Sequence, residues 1–268
     1  MQPSTTHIKP VEMLSIVLLV ASGLFLISLQ QKLTWIVLWG CGVWSLLFWG
    51  KEARSYLPLL YISIAILAFT HISTEVTNAN IILMSGLLGT ALVIPHLIVR
   101  HIYKDRETLK FRWWNNWSLR RIGYVVFSGL LAYLILPWYL RDTWSYLNWS
   151  VELTPDFITR LFIGTNGLGI WDELFFCSTV LAVFRKFLPF WVANILQAIL
   201  FTSFLYELGF RGWYGPIIIY IFAWLQGIVF QRTDSLSFII AIHLTVDAVL
   251  FLTLIHLHHP EVLDIFVT

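Results

Sequence analysis

Long apolar stretches separated by short polar connections make up most of this chain. A helix needs about 20 mostly apolar residues to cross the hydrocarbon core of a bilayer. Nine stretches reach roughly this length, at residues 12–29, 33–50, 55–73, 80–99, 122–140, 161–184, 188–208, 213–230 and 236–257. The pattern predicts an all-α integral membrane protein, a bundle of about nine transmembrane helices that forms one membrane domain over residues 1–268.

The sixth stretch contains a glycine-rich segment, from Gly164 to Gly169, that interrupts the apolar pattern. Glycine is a common helix breaker. If the helix breaks here, the span begins near Leu168, residues 151–163 lie along the membrane interface, and the bundle has eight spans.

Composition agrees with a membrane location. Hydrophobic residues make up 58% of the chain and charged residues 12%, whereas a soluble domain carries about 25% charged residues. The surplus apolar surface is therefore expected to face the lipid bilayer. The formal net charge of +2 gives no reason to expect a nucleic-acid partner, and Cys41 and Cys177 lie in apolar stretches, where free thiols are expected.

The basic residues predict an orientation. With nine spans, all but four of the 17 Lys and Arg residues fall on the side of the N-terminus; the four are Lys32, Arg141, Arg160 and Arg211. Cytoplasmic loops carry an excess of Lys and Arg. We therefore expect a bacterial plasma-membrane protein with a cytoplasmic N-terminus and an external C-terminus.

The longest polar connection, Arg100 to Arg121, is basic and rich in Trp. Such a segment is expected to lie against anionic lipid headgroups, and a docking site for a partner protein is the alternative.

Ionisable residues within apolar stretches occur only in the C-terminal part: Asp172, Glu173, Glu207, His243 and Asp247. A charged acid at the bilayer centre costs about 2.5–3.5 kcal/mol, so these side chains are expected to face one another or a wet cavity. His243 and Asp247 are four residues apart and share one helix face. Asp172 and Glu173 diverge by about 100° around a helix, so only one of them is expected to point at His243.

Structural alternatives exist for two of these residues. A histidine in a membrane helix is often a hydrogen-bonded packing residue, which would apply to His243. Glu207 lies near the end of its stretch, where Arg211 is a ready ion-pair partner.

Three short motifs resemble a known family. Asp172-Glu173-Leu174-Phe175-Phe176-Cys177, Phe201 to Leu205 and His243 to Asp247 resemble, in this order, Glu-Glu-x-x-(Phe/Tyr)-Arg, Phe-x-x-x-His and His-x-x-x-(Asn/Asp). These are the motifs of the CPBP (ABI) family of intramembrane proteases, which includes the CAAX prenyl-protein endopeptidases. The resemblance covers about residues 165–250. It makes residues 161–257 a CPBP-like core with the buried polar site and residues 1–140 a set of N-terminal scaffold spans.

The chain departs from the family pattern at three positions. Asp172 replaces the first glutamate, Cys177 replaces the arginine, and Leu205 stands where the second motif has its histidine. Glu207 lies two residues further on, about 200° around a helix, and Tyr206 is the other nearby polar side chain.

The resemblance implies an intramembrane endopeptidase in which a glutamate-activated water attacks a peptide bond. In this chain Glu173 would be the general base with Asp172 beside it. His243 would be a metal ligand or polarising group, and Asp247 would orient it. Glu207 and Tyr206 would be additional site residues.

The cofactor implied by the resemblance is a divalent metal such as zinc, with His243, Glu173 and Glu207 as ligands. The partners are then a peptide or membrane-protein substrate and the bilayer, while the oligomeric state is left open. Two other functions fit the sequence. One is a catalytically inactive relative that binds or stabilises a membrane partner. The other is an ion- or proton-coupled carrier, since buried acids and histidines form relays, although the chain has no inverted repeat.

Overall fold

The computed structural model describes residues 10–24, 32–48, 51–68, 72–114 and 116–267. Within these ranges the chain is all-helical and contains nine helices. They are α1 (Pro10–Gly23), α2 (Lys32–Ser45), α3 (Lys51–Leu67), α4 (Asn78–Ile102), α5 (Leu119–Asp142), α6 (Pro155–Arg185), α7 (Phe190–Glu207), α8 (Gly215–Thr233) and α9 (Leu236–His258). The predicted all-α class is confirmed, and the number of helices equals the number of predicted spans.

Six of the described helices, α4 to α9, are long and apolar enough to cross a membrane. Their length and composition, together with the apolar surface they expose, indicate an integral membrane protein. The apolar parts of α1, α2 and α3 are shorter, at Met13–Gly23, Ile36–Ser45 and Tyr56–Leu67. The ends of the first two predicted spans, at 25–29 and 49–50, lie outside the described residues.

Side-chain caps begin three of the long helices. The hydroxyl groups of Thr77, Ser118 and Thr154 accept hydrogen bonds from the backbone N–H three residues ahead, at the starts of α4, α5 and α6. Such caps satisfy donors that have no partner within the helix. Pro155 follows at the first position of α6, where the missing N–H is not needed.

Helix α6 runs without a break through Gly164 and Gly169, so the alternative of a helix break in this segment is wrong, while the number of membrane spans stays a prediction. A glycine costs a helix about 1 kcal/mol relative to alanine, and packing compensates for this cost here. Trp171 donates from Nε1 to the Leu88 carbonyl of α4 at 2.8 Å, and α6 also packs along α9.

The hydrogen-bond pattern of α6 changes at the first motif. From Glu173 to Val180 the helix is a π-helix, and it returns to the α form over Leu181–Arg185. The Thr179 hydroxyl donates to the Leu174 carbonyl at 2.8 Å within this widened turn. Single π turns within α-helices are frequent at functional sites.

Buried amides join α7 to α8. Asn194 donates from Nδ2 to the Trp224 carbonyl at 2.9 Å, and Gln197 donates from Nε2 to the Ala223 carbonyl at 3.0 Å. A Cβ at Gly227 would overlap the Asn194 side chain, so the glycine permits this approach. Polar bonds between closely packed helices are a common way to join helices within a bilayer.

Hydrogen bonds between the helix connections show which connections lie together at each of the two ends, or faces, of the helix bundle. On the basic face (residues 103–114, 116–118, 186–189 and 234–235), Leu236 donates from its backbone to the Arg112 carbonyl at 2.8 Å. On the opposite face (residues 72–77, 143–154 and 208–214), Thr74 donates to the Asn148 carbonyl at 2.6 Å and Asn148 donates to that of Gly209 at 2.8 Å. The assignment of the basic face to the cytoplasm stays a prediction.

Candidate active site

Three helices bring one buried polar cluster together. Asp172 and Glu173 come from α6, Gln226 from α8, and His243 and Asp247 from α9, and all five side chains are buried. Aromatic rings border the histidine, since the centroid of the His243 ring lies 5.9 Å from that of Phe201 and 5.1 Å from that of Phe222. The imidazole therefore has a fixed plane in a largely apolar surrounding.

The Nδ1 side of His243 is held by a carboxylate. Its Nδ1 lies 2.8 Å from Glu173 Oε1, and the Gln226 amide donates to the same oxygen at 2.8 Å. Gln226 also donates from Nε2 to the Ile239 carbonyl at 3.0 Å, which fixes the orientation of its amide because a carbonyl only accepts. Glu173 Oε1 is thus an acceptor, and we assign the Nδ1 proton to His243 on this ground.

The other nitrogen of the ring faces two aspartates. His243 Nε2 lies 4.0 Å from Asp172 Oδ2 and 3.7 Å from Asp247 Oδ1. Both carboxylate oxygens of Asp172 and Oδ2 of Asp247 have no hydrogen-bond partner within the protein. Asp172 and Glu173 therefore approach the ring from opposite nitrogens. Glu173 alone hydrogen-bonds to the ring, as expected for two acids that diverge around a helix, whereas Asp172 faces Nε2 without a hydrogen bond.

Gly169 makes the approach of α9 to α6 possible. A Cβ at this position would overlap the Asp247 carboxylate and would lie 3.1 Å from His243 Cδ2. The absence of a side chain lets the acid of one helix rest on the backbone of the other.

A cavity of about 640 Å³ opens beside the cluster. Asp172, Gln226, His243 and Asp247 line it, whereas Glu173 is not among its lining residues. Most of the remaining wall is apolar. Pockets of 300–1,000 Å³ with an apolar wall and a few convergent polar groups are typical of ligand sites.

The residues at the end of the second motif differ in whether they line the cavity. Leu205 lines the cavity, but Tyr206 and Glu207 do not. Glu207 is buried, and its ion pair with Arg211 stays a prediction. The structure brings together four of the predicted residues, Asp172, Glu173, His243 and Asp247, and does not bring the additional candidates Tyr206 and Glu207 to the cavity wall.

The predicted zinc ligands do not come together. Among the residues that the structure describes, no three His, Cys, Asp or Glu side chains are placed to hold a metal ion. Nδ1 of His243 is already bonded to Glu173, and Glu207 does not line the cavity. Because these residues do not fit a zinc site, the reaction proposed below contains no step on a metal.

The segment that carries the cluster matches a known family model. Residues 154–249 match the type II CAAX prenyl endopeptidase, Rce1-like family. Over this segment the chain is CPBP/CAAX-protease-like. The match begins at the cap of α6 and ends within α9, and the resemblance drawn from the three motifs is confirmed. No curated protein and no solved structure matches the chain.

The CPBP-like segment also contains a site residue that sequence reasoning missed. Gln226 is 2% exposed and bridges Glu173 to the backbone of α9. Charged side chains and histidines in apolar stretches indicate a buried site in a membrane helix, whereas a neutral amide gives a much weaker indication. The available signal was a lone amide between Leu225 and Gly227 in an apolar stretch.

Proposed function

We propose that this protein is an intramembrane endopeptidase that hydrolyses a peptide bond with a water molecule bound between Asp172 and His243. One observation carries the proposal: Asp172 lines the cavity, both of its buried carboxylate oxygens are without a hydrogen-bond partner in the protein, and Oδ2 lies 4.0 Å from His243 Nε2. A water at about 2.8 Å from each of these atoms spans that separation. The family-level likeness to CAAX endopeptidases supports the same reaction class.

The contacts favour a division of roles among the acids. Glu173 accepts from His243 Nδ1 and from Gln226, so it positions the ring. Asp172 lines the cavity and its oxygens have no hydrogen-bond partner in the protein, so it is the better-placed general base, the role that the family resemblance gave to Glu173. Asp247 Oδ1 lies 3.7 Å from Nε2, beyond hydrogen-bond distance, and is a third carboxylate beside the ring.

The proposed step is a direct attack by water. The water donates one hydrogen bond to Asp172 and the other to His243 Nε2, which leaves an oxygen lone pair directed into the cavity. Asp172 takes a proton as the water oxygen bonds to the carbonyl carbon. When the carbon–nitrogen bond breaks, that proton passes to the leaving amine, so the products are a carboxylic acid and an amine.

The test is Asp172→Asn in the purified full chain with fluorogenic peptide substrates. A positioned general base contributes about 10²- to 10⁴-fold, and we expect a loss of kcat within this range with little change in thermal stability. Glu152→Gln, an exposed acid on the opposite face, is the matched control and should cleave normally. Normal cleavage by Asp172→Asn would remove Asp172 from the role of base.

A second candidate function is a catalytically inactive relative that binds a membrane partner. The observation in its favour is Leu205, an apolar side chain on the cavity wall where the family motif has a histidine. Absence of cleavage of any peptide by the wild-type chain, with a membrane protein retained stoichiometrically on purification, would favour this function.

A further inference from the structure

Carboxylates face both nitrogens of the His243 ring, so the ring alone does not decide which nitrogen carries the proton. Glu173 lies at Nδ1, while Asp172 and Asp247 lie at Nε2. The attack proposed above needs an Nε2 without a proton, because the water donates a hydrogen bond to this atom. A group other than the ring must therefore hold the proton on Nδ1.

Gln226 of α8 is bonded at two points around the histidine. Its Nε2 donates at 2.8 Å to Glu173 Oε1, the same oxygen that lies at His243 Nδ1, and at 3.0 Å to the Ile239 carbonyl. An amide nitrogen carries two hydrogens, so these two bonds use both of them. The side chain is almost fully buried, and bulk water therefore does not compete for either bond.

The bond to Ile239 reaches the backbone that carries the histidine. Ile239 lies four residues before His243 in α9, which is a regular helix from Leu236 to His258. In such a helix the carbonyl of one residue accepts from the backbone N–H four residues later, so the Ile239 carbonyl is also the backbone partner of His243. One amide group thus fixes both the carboxylate at the ring and the helical turn below it.

The neutral amide has a single orientation here. The Ile239 carbonyl can only accept a hydrogen bond, so the amide nitrogen must face it. Oε2 of Glu173 is buried without a hydrogen-bond partner, so this carboxylate is held through Oε1. Gln226 supplies its two donors without adding a charge to the buried cluster, where an uncompensated charge is costly.

We propose that Gln226 is a positioning residue for the reaction. It holds Glu173 against Nδ1 and so keeps the proton of His243 on that nitrogen, which leaves Nε2 able to accept from the attacking water. The catalytic part of this inference rests on the proposed function, whereas the position of the proton does not. Gln226 itself takes no part in making or breaking bonds.

Nitrogen NMR of the full chain in nanodiscs, with isotope-labelled histidine, tests the position of the proton. His243→Gln identifies the His243 signals by their loss. The wild-type chain should show a protonated Nδ1 and an unprotonated Nε2. In Gln226→Met, which keeps the length of the side chain but cannot donate, a signal from protonated Nε2 should appear at comparable intensity. The reason is that Glu173 is then held by one bond fewer and no longer prevails over the two aspartates.

Gln197→Met is the matched control. Gln197 is a fully buried amide of α7 that donates to the Ala223 carbonyl of α8 at 3.0 Å, but it does not line the cavity. The control removes the same kind of bond between helices, so its thermal midpoint should fall while its His243 signals match those of the wild-type chain. If Gln226→Met does not fold, Gln226→Glu keeps the shape of the side chain with at most one donor and should change the signals in the same direction.

Cleavage of fluorogenic peptides tests the catalytic part. Gln226→Met should lower kcat by about 10- to 100-fold, the effect of one hydrogen bond to a charged group, with little change in KM. Gln197→Met should retain the kcat of the wild-type chain, because its bonds lie outside the cluster.

The combined results distinguish the positioning role from the endopeptidase activity. Identical His243 signals in wild type and Gln226→Met, or a protonated Nε2 in the wild-type chain, would overturn the inference whether or not peptides are cleaved. A second tautomer in Gln226→Met with an unchanged kcat would also overturn it, since the proton position would then not matter to the reaction. A second tautomer in a chain whose wild type cleaves no peptide would support the hold on His243 and count against the endopeptidase.

Discussion

In the candidate active site, three carboxylates surround the His243 imidazole and have different roles. Glu173 is bonded to both His243 and Gln226, so its position depends on two other helices. Asp172 lies next to it in the chain and contacts neither of these side chains by a hydrogen bond. Adjacent residues of the same type therefore have distinct chemical roles because the widened turn and the ring place them on opposite nitrogens.

Leu205 offers a residue-level prediction. The side chain lines the cavity near the cluster, where a histidine would add a second donor or acceptor for the carbonyl oxygen or the water. Leu205→His is expected to raise kcat for peptide cleavage by about tenfold or more, since a positioned acid or base contributes at least this much. The measurement is the initial rate with a fluorogenic peptide, at equal amounts of folded protein.

Leu208→His is the matched control, because Leu208 also lines the cavity one turn further along. It should not raise the rate. An unchanged rate in Leu205→His would mean that this position does not face the reacting carbonyl.

Among the helices, the contact between α6 and α9 determines the geometry of the cluster. Gly169→Ala adds a methyl group where the Asp247 carboxylate rests. Overpacking of this kind typically costs about 1–3 kcal/mol. We expect a lower thermal midpoint and a fall in cleavage, because the added group moves Asp247 and His243 away from Asp172.

Gly164→Ala in the same helix is the control, since a Cβ there meets no atom within 4 Å. It should raise helix stability by about 0.5–1 kcal/mol. Equal midpoints for the two variants would show that α9 does not rest on Gly169.

The elements also show what could be predicted from sequence. Apolar stretches predicted every helix, because length and hydropathy are enough to identify an apolar helix. Motif order predicted the meeting of Asp172, Glu173, His243 and Asp247. The sequence left open whether the helix continues through Gly164, and it could not predict the π-helix after Asp172, since both depend on packing and backbone hydrogen bonds that leave no trace in hydropathy.

For the molecule as a whole, Asp105 links the N-terminal helices to the CPBP-like segment. Lys186 at the end of α6 lies 3.2 Å from its carboxylate, and Tyr56 of α3 and Thr108 donate hydrogen bonds to it. Burial raises the pKa of Asp105, but the hydrogen bonds from Thr108 and Tyr56 outweigh burial and hold the pKa of this carboxyl well below its usual range.

This contact predicts a pH dependence of stability. A carboxyl with a lowered pKa in the folded state contributes stability at pH values above its unfolded pKa of about 3.9, and the contribution is lost as the pH falls from there toward the folded pKa. Asp105→Asn should therefore lower the thermal midpoint by about 2–5 °C at pH 7, for a loss of roughly 1–2 kcal/mol. The difference from wild type should narrow below pH 4.

Glu107→Gln changes a carboxylate that is 64% exposed in the same connection, and its midpoint should follow wild type at every pH. A constant difference between Asp105→Asn and wild type from pH 7 to pH 3.5 would contradict the assignment of a lowered pKa.

The π-helix between Glu173 and Val180 has a consequence for comparing this chain with others. A wide turn uses about one residue more than a regular α turn. On a helical wheel, every side chain after the turn therefore has the direction of the residue that precedes it in the sequence. Cys177 is the sixth residue of the first motif, yet its side chain points in a different direction from that of the sixth residue in a regular α-helix. Removal of one residue from this segment would let the helix close and rotate its two halves by about 100° relative to each other. The number of residues in the turn is thus as much a part of the site as their identity.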